Sequence, residues 1–395
     1  MFLDATRRRN PAFIEAVVAL HQQGAIPAGS YALDLDAIGA NARAFAAEAA
    51  RLGLTTFAMT KQLGRNPAVF EVLRDSGIPR FVAVDMACAR RVHASAHHVG
   101  HIGHLTQVPR SEGAAAAALD ADFWTVFSDD KAAEAAAAAA RAGRVQPLLA
   151  RIQAPGDIFY PGHEGGYPAA DVVGVADRID GLEGARFAGI TTFPALLFDA
   201  QAGEVRPTPN MTTLARAASA LRAAGRDRIE INAPGTTSTA VLSLLAEAGA
   251  TQVEPGHGLS GTTPLHAVRH LVEEPSAVYV TEISHQIGGR SFVFGNGFYI
   301  DPVFPDYEVH ALVGREERLD ALREVPALVP PPGAIDYYGQ LEDTEARTGD
   351  TAVFAFRIQA FFRRAFVVPI RGIRSNRPQV AGVWTTDGGA VQWPM

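Results

Sequence analysis

Lys61 closes the apolar run Thr55-Thr56-Phe57-Ala58-Met59-Thr60. The chain carries 35 Lys+Arg residues, yet lysine stands only at Lys61 and Lys131, and the rest are arginine. Arginine supplies positive charge on almost any surface, but its pKa is too high for it to become a neutral amine. A desolvated lysine can, and it then attacks carbonyl compounds to form Schiff bases. A surface lysine capping a strand would look the same in isolation. Two further stretches carry a different chemistry. Asn232-Ala233-Pro234-Gly235-Thr236-Thr237-Ser238 places small residues and hydroxyls ahead of a helical segment, where unsatisfied backbone N–H groups and the positive end of the helix dipole suit a phosphate. Glu254-Pro255-Gly256-His257-Gly258-Leu259-Ser260-Gly261 is glycine-rich enough for close backbone approach to a ligand. Either loop alone is also what a tight turn requires.

The elements that must position these residues follow a regular order. Residues 31–35 read as a strand and 36–51 as a helix with Asp36 as N-cap. From Thr55 onward, strands at 55–60, 80–85, 102–107, 123–127, 146–152, 187–193, 229–232 and 251–254 alternate with helices at 66–76, 87–98, 111–119, 129–142, 169–179, 208–224 and 239–248. Asp129 and Gly143 mark the start and stop of the alanine-rich helix, and residues 154–168 form a long Gly/Pro loop of the kind that carries function. Eight alternations close a barrel. Beyond Gly261, aromatic and β-branched residues alternate between Gly/Pro/Asp turns, with one helix-like excursion at 316–323. The expected fold is therefore α/β: a TIM (β/α)8 barrel with a C-terminal antiparallel β domain. The domains are expected at 1–30 (a helical arm with a helix at 11–22), 31–264 (the barrel) and 265–395 (the β domain, with or without the strand at 31–35).

Composition narrows the class. A hydrophobic fraction of 48% with 19% charged residues is that of a packed soluble chain. A net charge of −7 with no basic run argues against nucleic acid as a partner. The single cysteine, Cys88, excludes an internal disulfide and a cysteine-rich metal site. No apolar run is long enough to span a bilayer and no cleavable leader is evident, so a cytoplasmic location is expected.

In a parallel barrel the active site lies at the C-terminal ends of the strands, and a phosphate commonly sits on the loops after strands seven and eight. Both candidate loops fall there, and Lys61 falls at the end of strand one. Together they point to pyridoxal 5′-phosphate bound across the barrel mouth. The opening Ala32-Leu33-Asp34-Leu35-Asp36-Ala37-Ile38 with Asn41, the segment Thr60-Lys61-Gln62-Leu63-Gly64-Arg65-Asn66-Pro67 and the two loops resemble the fold type III pyridoxal-phosphate enzymes, the alanine racemase-like group, and most closely its YhfX-type branch. The resemblance extends over nearly the whole chain. It implies that Lys61 bonds the cofactor and that Gly235, Thr236, Thr237, Gly256, His257 and Gly258 surround the phosphate. It also implies a homodimer in which the β domain of one subunit completes the other's site, acting on a small amino-acid substrate.

One departure from the pattern matters. Alanine racemases proper place arginine before the Pro-Gly, facing the pyridine nitrogen; here the residue is Glu254, similar to the basic-amino-acid decarboxylases. A carboxylate favours the protonated ring nitrogen by charge pairing, which makes the ring a stronger electron sink. The tyrosine acid of alanine racemases has no secure match; Tyr299, Tyr338 and His285 are the rivals for that role. Arg357 and Gln359 alternate along 354–361, which on a strand would share one face and form either a substrate-carboxylate pocket or a solvated surface. Arg151, ending strand five, is a ring-side or carboxylate candidate, and His104, on a strand inside the barrel, is expected near the cofactor. His93, His97, His98, His101 and His104 invite a metal reading, and His93 and His97 have helical i, i+4 spacing, but no carboxylate or cysteine pattern completes a metal set, so no metal is expected. Related D-serine dehydratases and D-threonine aldolases hold a metal in the β domain; no His and Cys pair stands there in this chain.

The leading expectation is a racemase or epimerase acting at the amino-acid Cα through a Lys61 Schiff base. The alternatives are a decarboxylase or lyase, suggested by Glu254, and a non-catalytic cofactor carrier, which the large β domain opposes.

Overall fold

The computed structural model describes residues 1–300, 307–328, 335–362 and 364–394. The chain forms two compact units, one of Phe45–Met59 and Gly77–Gly256, the other of Met1–Ala44, Thr60–Ser76 and His257–Met395.

The first unit holds the parallel barrel. Its strands lie in the order Thr55–Thr56, Gln252–Val253, Glu230–Asn232, Ala185–Thr191, Gln146–Gln153, Phe123–Val126, His98–Ile102, Arg80–Val82 and Ala58–Met59. The first and last are two pieces of one strand separated by Phe57. The Phe57 amide donates to the Val253 carbonyl at 3.0 Å and the Met59 amide to Pro255 at 2.9 Å, which carries the ladder around the ring. Parallel strands covered on both faces need continuous apolar runs, and Leu148, Leu149, Ala150 and Ile152 are completely buried. The alanine-rich helix Asp129–Arg141 buries Ala132, Ala135, Ala136, Ala138 and Ala139, so its composition serves close packing.

Several expected boundaries move. The third strand is His98–Ile102, not 102–107. Gly100 lets it lie against Phe57, since a Cβ there would stand 2.6 Å from the ring, and Gly103 turns the chain away at φ +74°. The sixth strand ends at Thr191, and a hairpin, Leu196–Asp199 with Glu204–Pro207, follows it. Ser128, not Asp129, caps the alanine-rich helix, its side chain accepting from the Lys131 amide.

The second unit carries the β domain. Ala277–Ile287, Arg290–Phe294, Tyr338–Leu341, Arg323–Leu328, His310–Gly314 and Thr351–Phe354 pair antiparallel in that order, and the last returns to the first, making a closed ring. Ser30–Asp34 lies antiparallel to Ala277–Ile287 and parallel to Phe366–Arg371, so the sheet contains one parallel pair. Asp34, rather than Asp36, caps the following helix Leu35–Arg51: its Oδ1 accepts from the amides of Asp36 and Ala37 at 2.9 and 3.0 Å. A helix Phe2–Arg9, unread in the sequence, precedes Pro11–Gln22. The helix-like stretch at 316–323 is a 3-10 turn, Leu319–Ala321, running into a strand. Arg357 and Gln359 are not on a strand: the last strand before them ends at Phe354 and a 3-10 turn begins at Ala360. Ala355, Phe356, Ile358 and Ala360 are all buried, so this irregular segment has no open sheet face to present.

Candidate active site

Glu254 directly follows the eighth barrel strand and is 4% exposed. Its Oε1 accepts from the Asn232 amide at 3.0 Å and stands 2.7 Å from His101 Nδ1. Asn232 ends the seventh strand, and its own Oδ1 accepts from the Thr191 hydroxyl at 2.7 Å, which fixes the amide's orientation. The other ring nitrogen of His101 lies 2.6 Å from Thr125 Oγ1. Oε2 of Glu254 accepts no hydrogen bond among the described residues, and His104 Nε2 lies 3.3 Å away. Burial pushes the Glu254 carboxyl pKa up, but the nearby His104 and His101, with the hydrogen bonds from His101 and Asn232, bring it below its ordinary value. The carboxylate is therefore ionised, with one oxygen held and the other available.

His104 lies in the bend just after its strand rather than on it, 1% exposed and edge-on to Phe193 at 5.7 Å. His101, His104 and Glu254 each bring a ligand-type atom within 4.8 Å of the others, so the carboxylate missing near the histidines arrives from strand eight. Ligands of a tetrahedral zinc ion stand about 3.3 Å apart, whereas 2.7 Å between His101 Nδ1 and Glu254 Oε1 is the spacing of atoms sharing a proton. His97 is instead edge-on to Phe81 and His98 is paired with Asp122.

Arg151, on the fifth strand, is 1% exposed. Nη2 donates to the His163 carbonyl at 2.6 Å, while Nε and Nη1 have no hydrogen-bond partner among the described residues. Its guanidinium carbon lies 4.6 Å over Phe127 and 5.6 Å over Phe159, and burial lowers its pKa to about 10. A buried cation with two unused donors has the chemistry to pair with an anion. The long loop beside it is pinned: Asn210 bonds both the amide and the carbonyl of Ile158, and Thr213 donates to Asp157.

In the first candidate phosphate loop, Thr237 is 3% exposed and Gly235 and Thr236 are half-buried. The segment beyond opens as a 3-10 turn, Thr239–Val241, before the short helix Leu242–Glu247. Gly235 has a packing reason to be glycine: a Cβ would stand 2.6 Å from the Leu196 nitrogen. In the second loop, His257 opens the buried four-residue turn of helix His257–Ser260. Burial, with repulsion from Arg357, drives the His257 pKa well below its usual value. A neutral ring then donates from Nε2 to the Ile358 carbonyl at 2.8 Å and tethers the segment bearing Arg357 and Gln359.

Lys61 opens a 3-10 turn, Lys61–Leu63, two residues beyond the end of barrel strand Ala58–Met59. Its carbonyl accepts from Gly64, which sits at φ +70°, and Asn66 then caps helix Pro67–Asp75. The half-buried ammonium lies 4.8 Å over the ring of Phe361. Phe361 also lines, with Arg364, Asn296 and Thr386, a cavity of about 500 Å³.

Of the acid candidates, His285 and Tyr338 lie together, ring centroids 5.1 Å apart, with His285 stacked on Phe292 at 4.6 Å. Tyr338 is 45% exposed. Tyr299 is half-buried outside any strand.

The sequence did not single out Thr125 or Thr191, and it read His101 only among a group of histidines and Asn232 only as the start of a loop. Their signal is a polar side chain at or near the end of an otherwise apolar barrel strand.

Two family descriptions match the chain: "Alanine racemase, N-terminal domain" over residues 33–264 and "YhfX-like, C-terminal domain" over residues 278–380. The chain is 37% identical to the uncharacterized protein YhfX of Escherichia coli (strain K12) over 391 residues, 99% of this chain and 100% of that one. Similar solved structures include D-threonine aldolase from Filomicrobium marinum (TM-score 0.66, 16% identity, 91% of this chain and 95% of that one). D-threo-3-hydroxyaspartate dehydratase from Delftia sp. HT23 aligns at TM-score 0.63 and 18% identity over 90% of this chain and 96% of that one. Alanine racemase of Clostridium difficile 630 aligns at TM-score 0.63 and 13% identity over 91% and 99%. At these identities the structures share the fold. The family matches and the full-length relative place the chain among the alanine racemase-like, fold type III pyridoxal-phosphate proteins, in their YhfX branch.

Proposed function

We propose that the chain is a pyridoxal-phosphate-dependent racemase or epimerase that works at the Cα of an amino acid. The observation that carries this reading is the buried, ionised Glu254 with Oε1 held and Oε2 available. It suits a ring N–H donor, and the two unused donors of Arg151 suit an anionic ring or substrate oxygen. When bound, the cofactor supplies an electron sink for charge developing at the substrate Cα. Lys61 is the residue bonded to it and, once released, the base on one face of the Cα. Glu254 keeps the ring nitrogen protonated. The loops at Gly235–Thr237 and Gly256–Gly258 hold the phosphate by backbone N–H groups, and Arg357 with Gln359 orients the substrate carboxylate. The acid on the opposite face comes from a β domain, with Tyr338 and His285 ahead of Tyr299 because those two lie together; a homodimer sharing its sites is part of the reading.

A second reading, lyase or decarboxylase, is favoured by the same Glu254, since a strong electron sink serves every bond at the Cα. The test is incubation of the purified holoenzyme with a panel of D- and L-amino acids in deuterated water. The racemase reading expects Cα–H exchange and stereoinversion without by-product. Release of carbon dioxide, ammonia or an aldehyde replaces it with the second reading, and neither exchange nor release with any amino acid overturns both.

A further inference from the structure

The chemistry proposed above uses Glu254 and leaves His101 without a role. Yet His101 is 0% exposed and has both ring nitrogens engaged, Nδ1 at 2.7 Å from Glu254 Oε1 and Nε2 at 2.6 Å from Thr125 Oγ1. An ionised carboxylate only accepts hydrogen bonds, so Nδ1 carries the hydrogen. Nε2 then faces a hydroxyl that donates to a neutral imidazole or, by rotation, accepts from an imidazolium. The bond to Glu254 survives in either charge state of the ring. Thr125 is itself anchored, its carbonyl accepting from Gln107 Nε2 at 3.0 Å. Phe57 stands edge-on to the imidazole at 6.3 Å and leaves it little freedom to turn. The result is a strut from strand four through strand three to the end of strand eight. It meets Asn232, coming from strand seven, at one oxygen of Glu254.

We propose that His101 is a positioning residue that, braced by Thr125, holds Glu254 Oε1 so that Oε2 is presented as a carboxylate to the ring nitrogen of the cofactor. This rests on the reading that Glu254 faces that nitrogen. A merely structural histidine would affect stability when replaced, but would leave the protonation of the cofactor ring unchanged.

The test reconstitutes the wild type and variants with 15N-labelled pyridoxal phosphate and records the ring-nitrogen resonance at one fixed pH. The wild type is expected at the protonated position, and Glu254→Gln at the unprotonated one. His101→Phe should move toward the unprotonated position, with the protonated-to-unprotonated ratio falling by about tenfold, one pKa unit. His101→Gln, whose amide can still donate to Oε1, should stay near the wild type. Thr125→Val, nearly isosteric, should shift in the same direction as His101→Phe by a smaller amount, which covers the case in which His101→Phe does not fold. An unshifted resonance in His101→Phe or Thr125→Val beside a shifted Glu254→Gln overturns the role of His101 and leaves Glu254 in place. A wild-type nitrogen that is insensitive to Glu254→Gln overturns the Glu254 reading, and this inference with it.

Discussion

Asn232 donates its side-chain amide to Glu254 Oε1 at 3.0 Å from the adjacent barrel strand. The contact ties the proposed partner of the ring nitrogen to the residue that begins the first proposed phosphate loop. Glu254→Gln keeps an acceptor for both Asn232 and His101, so thermal stability should change little while turnover falls by about 10²-fold or more. Glu254→Ala strands two buried donors, and each should cost about 1–3 kcal/mol. Thermal denaturation beside turnover separates the two variants; full activity in Glu254→Gln would remove the carboxylate from the mechanism.

Arg151 yields effects of opposite sign. In the cofactor-free protein, Arg151→Met removes a buried cation with two unused donors and should leave the unfolding midpoint unchanged or raised. Affinity for pyridoxal phosphate should fall at least about tenfold, and Arg151→Lys should not restore it, since lysine lacks the planar fork. Calorimetry of the apoprotein and a cofactor titration check both. Lost stability with unchanged affinity would make Arg151 a packing residue.

Much of the candidate site was legible because the residue types are rare in their settings. One of two lysines, a glycine-hydroxyl loop and an acid before Pro-Gly each stand out in a barrel rhythm. The His101–Glu254 contact did not, because it joins positions 153 residues apart and only closure of the ring brings them together. Placing the third strand at 102–107, four residues late at its start, also left His101 off it, since the two histidines of His98–Ile102 break an apolar run that Gly100 makes workable against Phe57. Arg357 and Gln359 show the converse: a period of two in the sequence lies on an irregular segment held by His257.

Gly235→Ala tests the first phosphate loop. Its Cβ would stand 2.6 and 2.7 Å from the Leu196 nitrogen and oxygen, backbone atoms that cannot step aside. The variant should lose about 1–3 kcal/mol of stability. Its affinity should fall more for pyridoxal phosphate than for pyridoxal, which lacks the phosphate. Equal losses for both would detach the loop from the phosphate.

Acid stability carries its own signature. His21 Nδ1 lies 2.8 Å from Thr351 Oγ1, and burial lowers the ring's pKa from 6.5 to about 4. The unfolded chain binds a proton below its ordinary pKa while the folded chain does not. This contribution is therefore fully present above pH 6.5 and is lost as pH falls toward 4, a total on the order of 3 kcal/mol. His21→Gln should flatten the fall in stability across that window in urea titrations; an unchanged slope would assign it elsewhere.

The attachment of the cofactor to Lys61 is the central claim, and the composition makes it easy to examine. The only other lysine, Lys131, is bonded to Glu134 and the Val108 carbonyl. Borohydride reduction of the holoenzyme followed by peptide mapping should place one pyridoxyl group on Lys61, and Lys61→Ala should abolish it. A pyridoxyl group on Lys131, or none on a chain that retains the cofactor, would contradict the account.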